Sequence, residues 1–135
     1  MHPFNDEQLR TLVAAIDRII PRDDYPSASE AGCANFLIRL VSLEGQDDQY
    51  RAGLDGLQAE AKFLGSDFAD LNPLMQDSML TDLQNGKTQV RWEIDPSDFV
   101  HTLARQTIEG YYSDPGNGAN REWAAWKMIG FEVRG

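Results

Sequence analysis

A chain of 135 residues has room for one buried core and not for two good ones, so it reads as a single domain spanning 1–135. Its 22 acidic residues against 12 basic ones leave a formal charge of −10, which repels phosphate backbones and anionic membrane surfaces and disfavours nucleic acid as a partner. One cysteine, Cys33, excludes an internal disulfide, and with only His2 and His101 beside it no cluster for a structural zinc can be assembled.

The first residues, Met1-His2-Pro3-Phe4-Asn5-Asp6-Glu7, lack the basic region and apolar run of a secretory signal, and no apolar run reaches membrane-spanning length. With Met1 as the native start the expected address is cytoplasmic. A trimmed leader, or export together with a partner, would make it periplasmic.

Asn5 followed by Gln8 is a helix-capping arrangement, and Leu9, Leu12, Val13, Ile16, Ile19 and Ile20 then recur at helical spacing until Pro21 stops the helix. Ser27 with Glu30 makes a second capping box leading into Ala34, Phe36, Leu37, Ile38, Leu40 and Val41. That second helix is apolar nearly all round and is expected to be central, with Cys33 as a small buried residue at its start.

Glu44 to Asp48 is a polar break, after which Tyr50, Leu54, Leu57, Ala61 and Leu64 mark the buried face of a third helix. Gly53 and Gly56 within it read as points where another element comes close. Asn72-Pro73 is a cap with proline at the first helical position; Leu74, Met75, Met79, Leu80 and Leu83 are the expected buried stripe of the fourth helix, which Asn85-Gly86 ends. Lys87 to Ile94 alternates Val90, Trp92 and Ile94 with Arg91 and Glu93, a short extended connection without a partner strand. Asp95-Pro96 caps a fifth helix with Phe99, Val100, Leu103 and Ile108 inward and His101 as a partly exposed neighbour. The expected fold is therefore an all-α bundle of about five helices, followed by a Gly- and Trp-rich arm over about 107–135.

Active-site signatures are missing: there is no Gly-x-Gly-x-x-Gly, phosphate loop, His-Glu-x-x-His or Gly-x-Ser-x-Gly. The stretch Asp114-x-Gly116-x-Gly118-Ala119-Asn120 superficially resembles a calcium loop, but glycines stand where oxygen ligands are needed and the acidic twelfth position is missing. The pairs Asp23-Asp24 and Asp47-Asp48 fall in polar connections, where solvated surface is the ordinary reading.

The arm remains. The fifth helix is expected to run out at Thr107-Ile108-Glu109-Gly110, with Tyr111-Tyr112 directly after it. Asp114-Pro115-Gly116 is a turn sequence, and Asn120 can cap a short helix bearing Trp123 and Trp126. These aromatics could cover the open end of the bundle. Alternatively Tyr111, Tyr112, Arg121, Trp123, Trp126 and Phe131 could form a surface for another protein, since Tyr, Trp and Arg anchor interfaces.

With Thr107 to Pro115, Gly118-Ala119-Asn120 and Ala125-Trp126-Lys127-Met128-Ile129-Gly130-Phe131, the arm resembles the gluconate 2-dehydrogenase subunit 3 family, the small or gamma subunits of flavin-dependent sugar and polyol dehydrogenases. Ile19-Ile20-Pro21, Pro26 to Gly32 and Tyr50-Arg51-Ala52-Gly53-Leu54 carry the likeness through the front half. Ala119 and Ala125 replace family glycines, Asn117 stands where an aromatic is common, and the twin-arginine export signal of many members is missing.

The resemblance implies a non-catalytic subunit held against a large flavoprotein of the glucose-methanol-choline oxidoreductase type. That partner would carry FAD and the substrate pocket, and in some such complexes a third, haem-bearing subunit takes the electrons. No cofactor is expected in this chain, which lacks the Cys-x-x-Cys-His signature of covalent haem. The docking residues so implied are Tyr111, Tyr112, Asp114, Pro115, Gly118, Asn120, Arg121, Trp123, Trp126, Lys127 and Phe131. Two other readings stay open: a free-standing sugar binder or enzyme using the Asp114 to Asn120 turn and the flanking tryptophans, and a folding escort that leaves before catalysis.

Overall fold

The computed structural model describes residues 3–113, and its first helix starts as the capping signal requires. The Asn5 side chain accepts from the Gln8 N–H at 2.7 Å, while the Gln8 side-chain carbonyl accepts from the Asn5 N–H at 3.0 Å. This closes the start of α1 (Asp6–Ile19), which ends before Pro21. Four more α-helices follow: α2 (Cys33–Leu43), α3 (Asp47–Phe63), α4 (Pro73–Gln84) and α5 (Pro96–Ser113). A single 3-10 turn, Phe68–Asp70, stands between α3 and α4, and no strand occurs among the described residues. The all-α expectation is met.

Capping explains the later starts as well. Asn72 accepts from the Met75 N–H at 2.8 Å with Pro73 opening α4, and Asp95 accepts from Ser97 and Asp98 N–H at 2.9 and 3.3 Å at the head of α5. The Ser27 box also forms, but one step removed from its expected place. Ser27 and Glu30 bond each other across a separate turn, and α2 begins only after Gly32, whose φ of +87° breaks the path between them. Asp47 and Asp48 belong to the first turn of α3 and not to the connection before it; there they complement the positive end of the helix dipole.

The centre of the bundle is α5, not α2. Helix α5 packs on all four other helices, as α1 also does, with Phe99, Val100, Leu103, Ala104, Ile108 and Tyr111 buried, whereas α2 packs on three, buries Cys33, Leu37 and Val41 and leaves Leu43 84% exposed. An all-round apolar helix can still lie at the edge when its outer side chains are only half covered. Phe99 is the hub of an aromatic layer, edge-on to Tyr50 at 5.5 Å and tilted against Trp92 at 6.5 Å.

The glycines of α3 serve close approach, as expected. A Cβ on Gly53 would stand 2.3 Å from the Phe99 ring, and one on Gly56 would stand 2.6 Å from the Trp92 ring. Gly110 does the same and does not end the fifth helix: α5 continues through it to Ser113, and a Cβ there would meet Phe36 at 2.5 Å.

Two expected buried stripes are shorter than their periodicity suggests. In α3, Tyr50, Leu54, Leu57 and Ala61 are fully buried, but the helix ends at Phe63 and Leu64 is 53% exposed. In α4, Leu83 is buried and Met79 and Leu80 pack against the core, while Leu74 and Met75 face outward. Gln76 takes the inner position instead, its side-chain amide donating to the Phe68 carbonyl at 2.8 Å.

Candidate functional site

Of the residues expected to dock a partner, Tyr111 and Tyr112 fall within the described part. Tyr111 is fully buried, and its hydroxyl donates to the Pro26 carbonyl at 2.8 Å, joining the end of α5 to the loop before α2. Tyr112 is half-buried and packs edge-on to Tyr111 with ring centroids 5.1 Å apart. Together they form an aromatic pair at the end of α5, directly before the arm in sequence. Asp114, Pro115, Gly118, Asn120, Arg121, Trp123, Trp126, Lys127 and Phe131 lie outside the described residues.

The bundle itself carries two surface features that periodicity did not pick out. One is a groove of about 240 Å³ between the end of α3 and α4, lined on its apolar side by Phe63, Leu64, Met75, Met79 and Leu83. Phe63 is 60% exposed, and Leu74, which precedes Met75, is 78% exposed. Sequence adjacency did not mark this patch, since Phe99-Val100 and Leu103-Ala104 are consecutive pairs whose members are all buried.

The far lip of this groove, Lys87 and Gln89, is held from beneath by Glu60. That side chain is 4% exposed, and its carboxylate accepts from the Gln89 and Val90 backbone N–H groups at 3.0 and 3.1 Å and from the Trp92 indole N–H at 2.9 Å. A buried carboxylate is tolerated because charge-assisted bonds replace its water. The non-helical connection from Lys87 to Ile94 is thereby fixed to α3, with Val90, Trp92 and Ile94 turned inward as their alternation predicts.

The second feature is a groove of about 360 Å³ between the end of α1, α4 and the middle of α5. Arg18 and Asp77 cross its wall as a two-pronged pair at 2.8 and 3.0 Å, which holds the guanidinium above its usual pKa. Thr81, Gln84 and the exposed His101 lie along it with Leu80 and Leu103.

Several other polar groups hold the fold together. Asp67 accepts from Lys62 at 2.6 Å, from Gln58 at 3.0 Å and from Arg10 at 3.1 Å, and the lysine beside it holds the carboxyl below its usual range. Burial pushes the Tyr50 phenol up, and its hydroxyl donates to Gln106. Cys33 is buried, with its thiol against the Thr107 carbonyl. Among the described residues no group of three or more His, Cys, Asp and Glu is placed to hold a metal ion, and no helix is long and apolar enough to cross a membrane.

Among the described residues the surface thus offers two grooves, one of them with an apolar side. Compared with known proteins, residues 6–133 match the family model described as gluconate 2-dehydrogenase subunit 3. No curated protein and no solved structure matches the chain.

Proposed function

The chain belongs to the gluconate 2-dehydrogenase subunit 3 family, and on that premise we propose that it is the non-catalytic small subunit of a dehydrogenase complex, binding and stabilising or maturing a large FAD-dependent flavoprotein of the glucose-methanol-choline type. FAD and the sugar or glycoside pocket belong to that partner. The observation that supports the reading best is the extent of the family match, which takes in both the helical body and the arm. The exposed apolar residues Phe63, Leu64, Leu74 and Met75 support it too, because a lone domain has little use for them.

Co-expression with FAD-dependent dehydrogenases of this type tests the reading. The expected result is co-purification and a higher yield of active, flavin-loaded enzyme. A chain that stays monomeric and leaves flavoprotein yield and activity unchanged overturns it. Saturable quenching of tryptophan fluorescence by sugars, in the isolated chain, would favour a free-standing binder. An active mature enzyme without this chain, after a folding step that needs it, would identify an escort.

A further inference from the structure

We infer that the groove between the end of α3 and α4 is a seat for the partner flavoprotein, and that the segment it receives is apolar on one side and carries lysine or arginine at its edge. The inference rests on the subunit reading and adds to it a surface distinct from the arm.

Two observations converge on this groove. The first is its apolar content: Phe63, Leu64 and Met75 are 60%, 53% and 41% exposed and line one depression, with Leu74, next to Met75 in sequence and outside the lining, 78% exposed. Phenylalanine and methionine are enriched in the cores of interfaces. The groove is also preformed, since its floor is the buried Leu83 and its lip at Gln89 is fixed by the Glu60 carboxylate. Little ordering cost is then left for binding.

The second observation is the distribution of charge. Three acidic and three basic residues stand beyond Ser113, so the whole surplus of ten negative charges belongs to the part of the chain that carries the groove. Within that part Arg10, Arg18, Arg22, Arg51, Lys62 and Arg105 are already in ion pairs. Asp82 and Lys87 both stand exposed on the groove wall, so the sign of the field here is set by the acidic surplus of the surrounding body and not by the rim alone. A docking segment with an acidic edge would meet repulsion here, and one with a basic edge would be drawn in.

A photo-reactive benzoylphenylalanine at position 75, in the chain co-expressed with the flavoprotein, reads the occupant directly. Cross-linking to the flavoprotein, at a segment with lysine or arginine beside apolar residues, is the expected result. Cross-linking to residues 114–135 of the same chain, or to a second copy, overturns the inference. Phe63→Asp and Met75→Asp are each expected to weaken the complex at least about tenfold, with Leu43→Asp, more exposed than either and outside the groove, changing it less than about twofold. Wild-type binding should weaken as salt is raised. If the wild type binds and the groove variants bind equally well, the groove fails while the subunit reading stands. If the wild type binds no flavoprotein, both fail.

Discussion

The Trp92 indole N–H donates to the Glu60 carboxylate at 2.9 Å, across 32 residues of sequence, and this bond decides how the connection between α4 and α5 lies on the bundle. The same carboxylate takes the Gln89 and Val90 N–H groups, so one side chain satisfies three donors of a segment that has no strand partner. Glu60→Ala should therefore cost about 3 kcal/mol in urea unfolding, because it strands buried donors as well as removing bonds. Glu60→Gln keeps an acceptor and should cost less than half as much. An alanine variant as stable as the wild type would show that water replaces the carboxylate without loss.

The glycine contacts predict an ordering. Alanine is favoured over glycine in a helix by about 1 kcal/mol, so each Gly→Ala change starts from a gain that overpacking must exceed. At Gly53 the obstacle is Phe99, 1% exposed and wedged against Tyr50, which cannot retreat. Gly53→Ala should destabilise by about 2 kcal/mol net. At Gly110 the obstacle is Phe36, only partly buried and able to swing outward, so Gly110→Ala should lie near neutrality. Thermal midpoints of the two variants test this, and the reverse order would refute it.

The contrast between these sites shows what the sequence could reveal. Caps at Asn5, Asn72 and Asp95 were legible because donor and acceptor lie two or three residues apart, and their geometry is decided locally. The inner faces of α3 and α5 were legible because Tyr50, Leu54, Leu57, Phe99 and Leu103 sit on long helices with one clear stripe. Helix α4 was misread at its start, since periodicity allows more than one line of residues along a helix and does not say which of them meets a neighbour. Leu74 and Met75 lie off the inner face made by Gln76, Met79, Leu80 and Leu83, and Gln76 is drawn inward by a carbonyl at Phe68 that spacing alone cannot reveal. Gly110 was read as a terminator because glycine ends helices and packs between them alike; only the position of Phe36 separates the two. Of the candidate site, the aromatic pair at Tyr111 and Tyr112 was legible as a feature. The groove at Phe63 and Met75 was not, because Met75 was assigned to the buried stripe of α4 and Phe63 was given no role.

Acid should weaken the fold through two identified carboxylates. Lys62 beside Asp67, and the Ser27 N–H beside Glu30, hold both groups below their ordinary pKa. A carboxyl whose pKa is lower in the folded state binds fewer protons there than when unfolded, so its contribution is fully present above the unfolded value of about 4. It is lost as pH falls through the depressed folded value. The urea midpoint should accordingly drop below about pH 4, and Asp67→Asn should flatten that limb while lowering the plateau at neutral pH. Added salt should shrink the Asp67 part, since its partners Lys62 and Arg10 are solvated. An unchanged acid limb in Asp67→Asn would assign the effect elsewhere.

The two readings of the arm separate in a pair of measurements on Trp126→Ala, Arg121→Ala and Tyr111→Phe. If Trp126 and Arg121 anchor the flavoprotein, each alanine should weaken the complex by more than about 2 kcal/mol and leave the isolated chain's unfolding midpoint unchanged. If instead they close the end of the bundle, stability should fall while affinity holds. Tyr111→Phe calibrates the comparison from the structural side. Its hydroxyl bonds the Pro26 carbonyl within the body, so losing it should cost about 1 kcal/mol of stability with little effect on affinity. A chain in which Tyr111→Phe and Trp126→Ala behave alike, both losing stability and neither losing partner, would place the arm in the core and leave the groove between α3 and α4 as the docking surface still to be tested by its own variants.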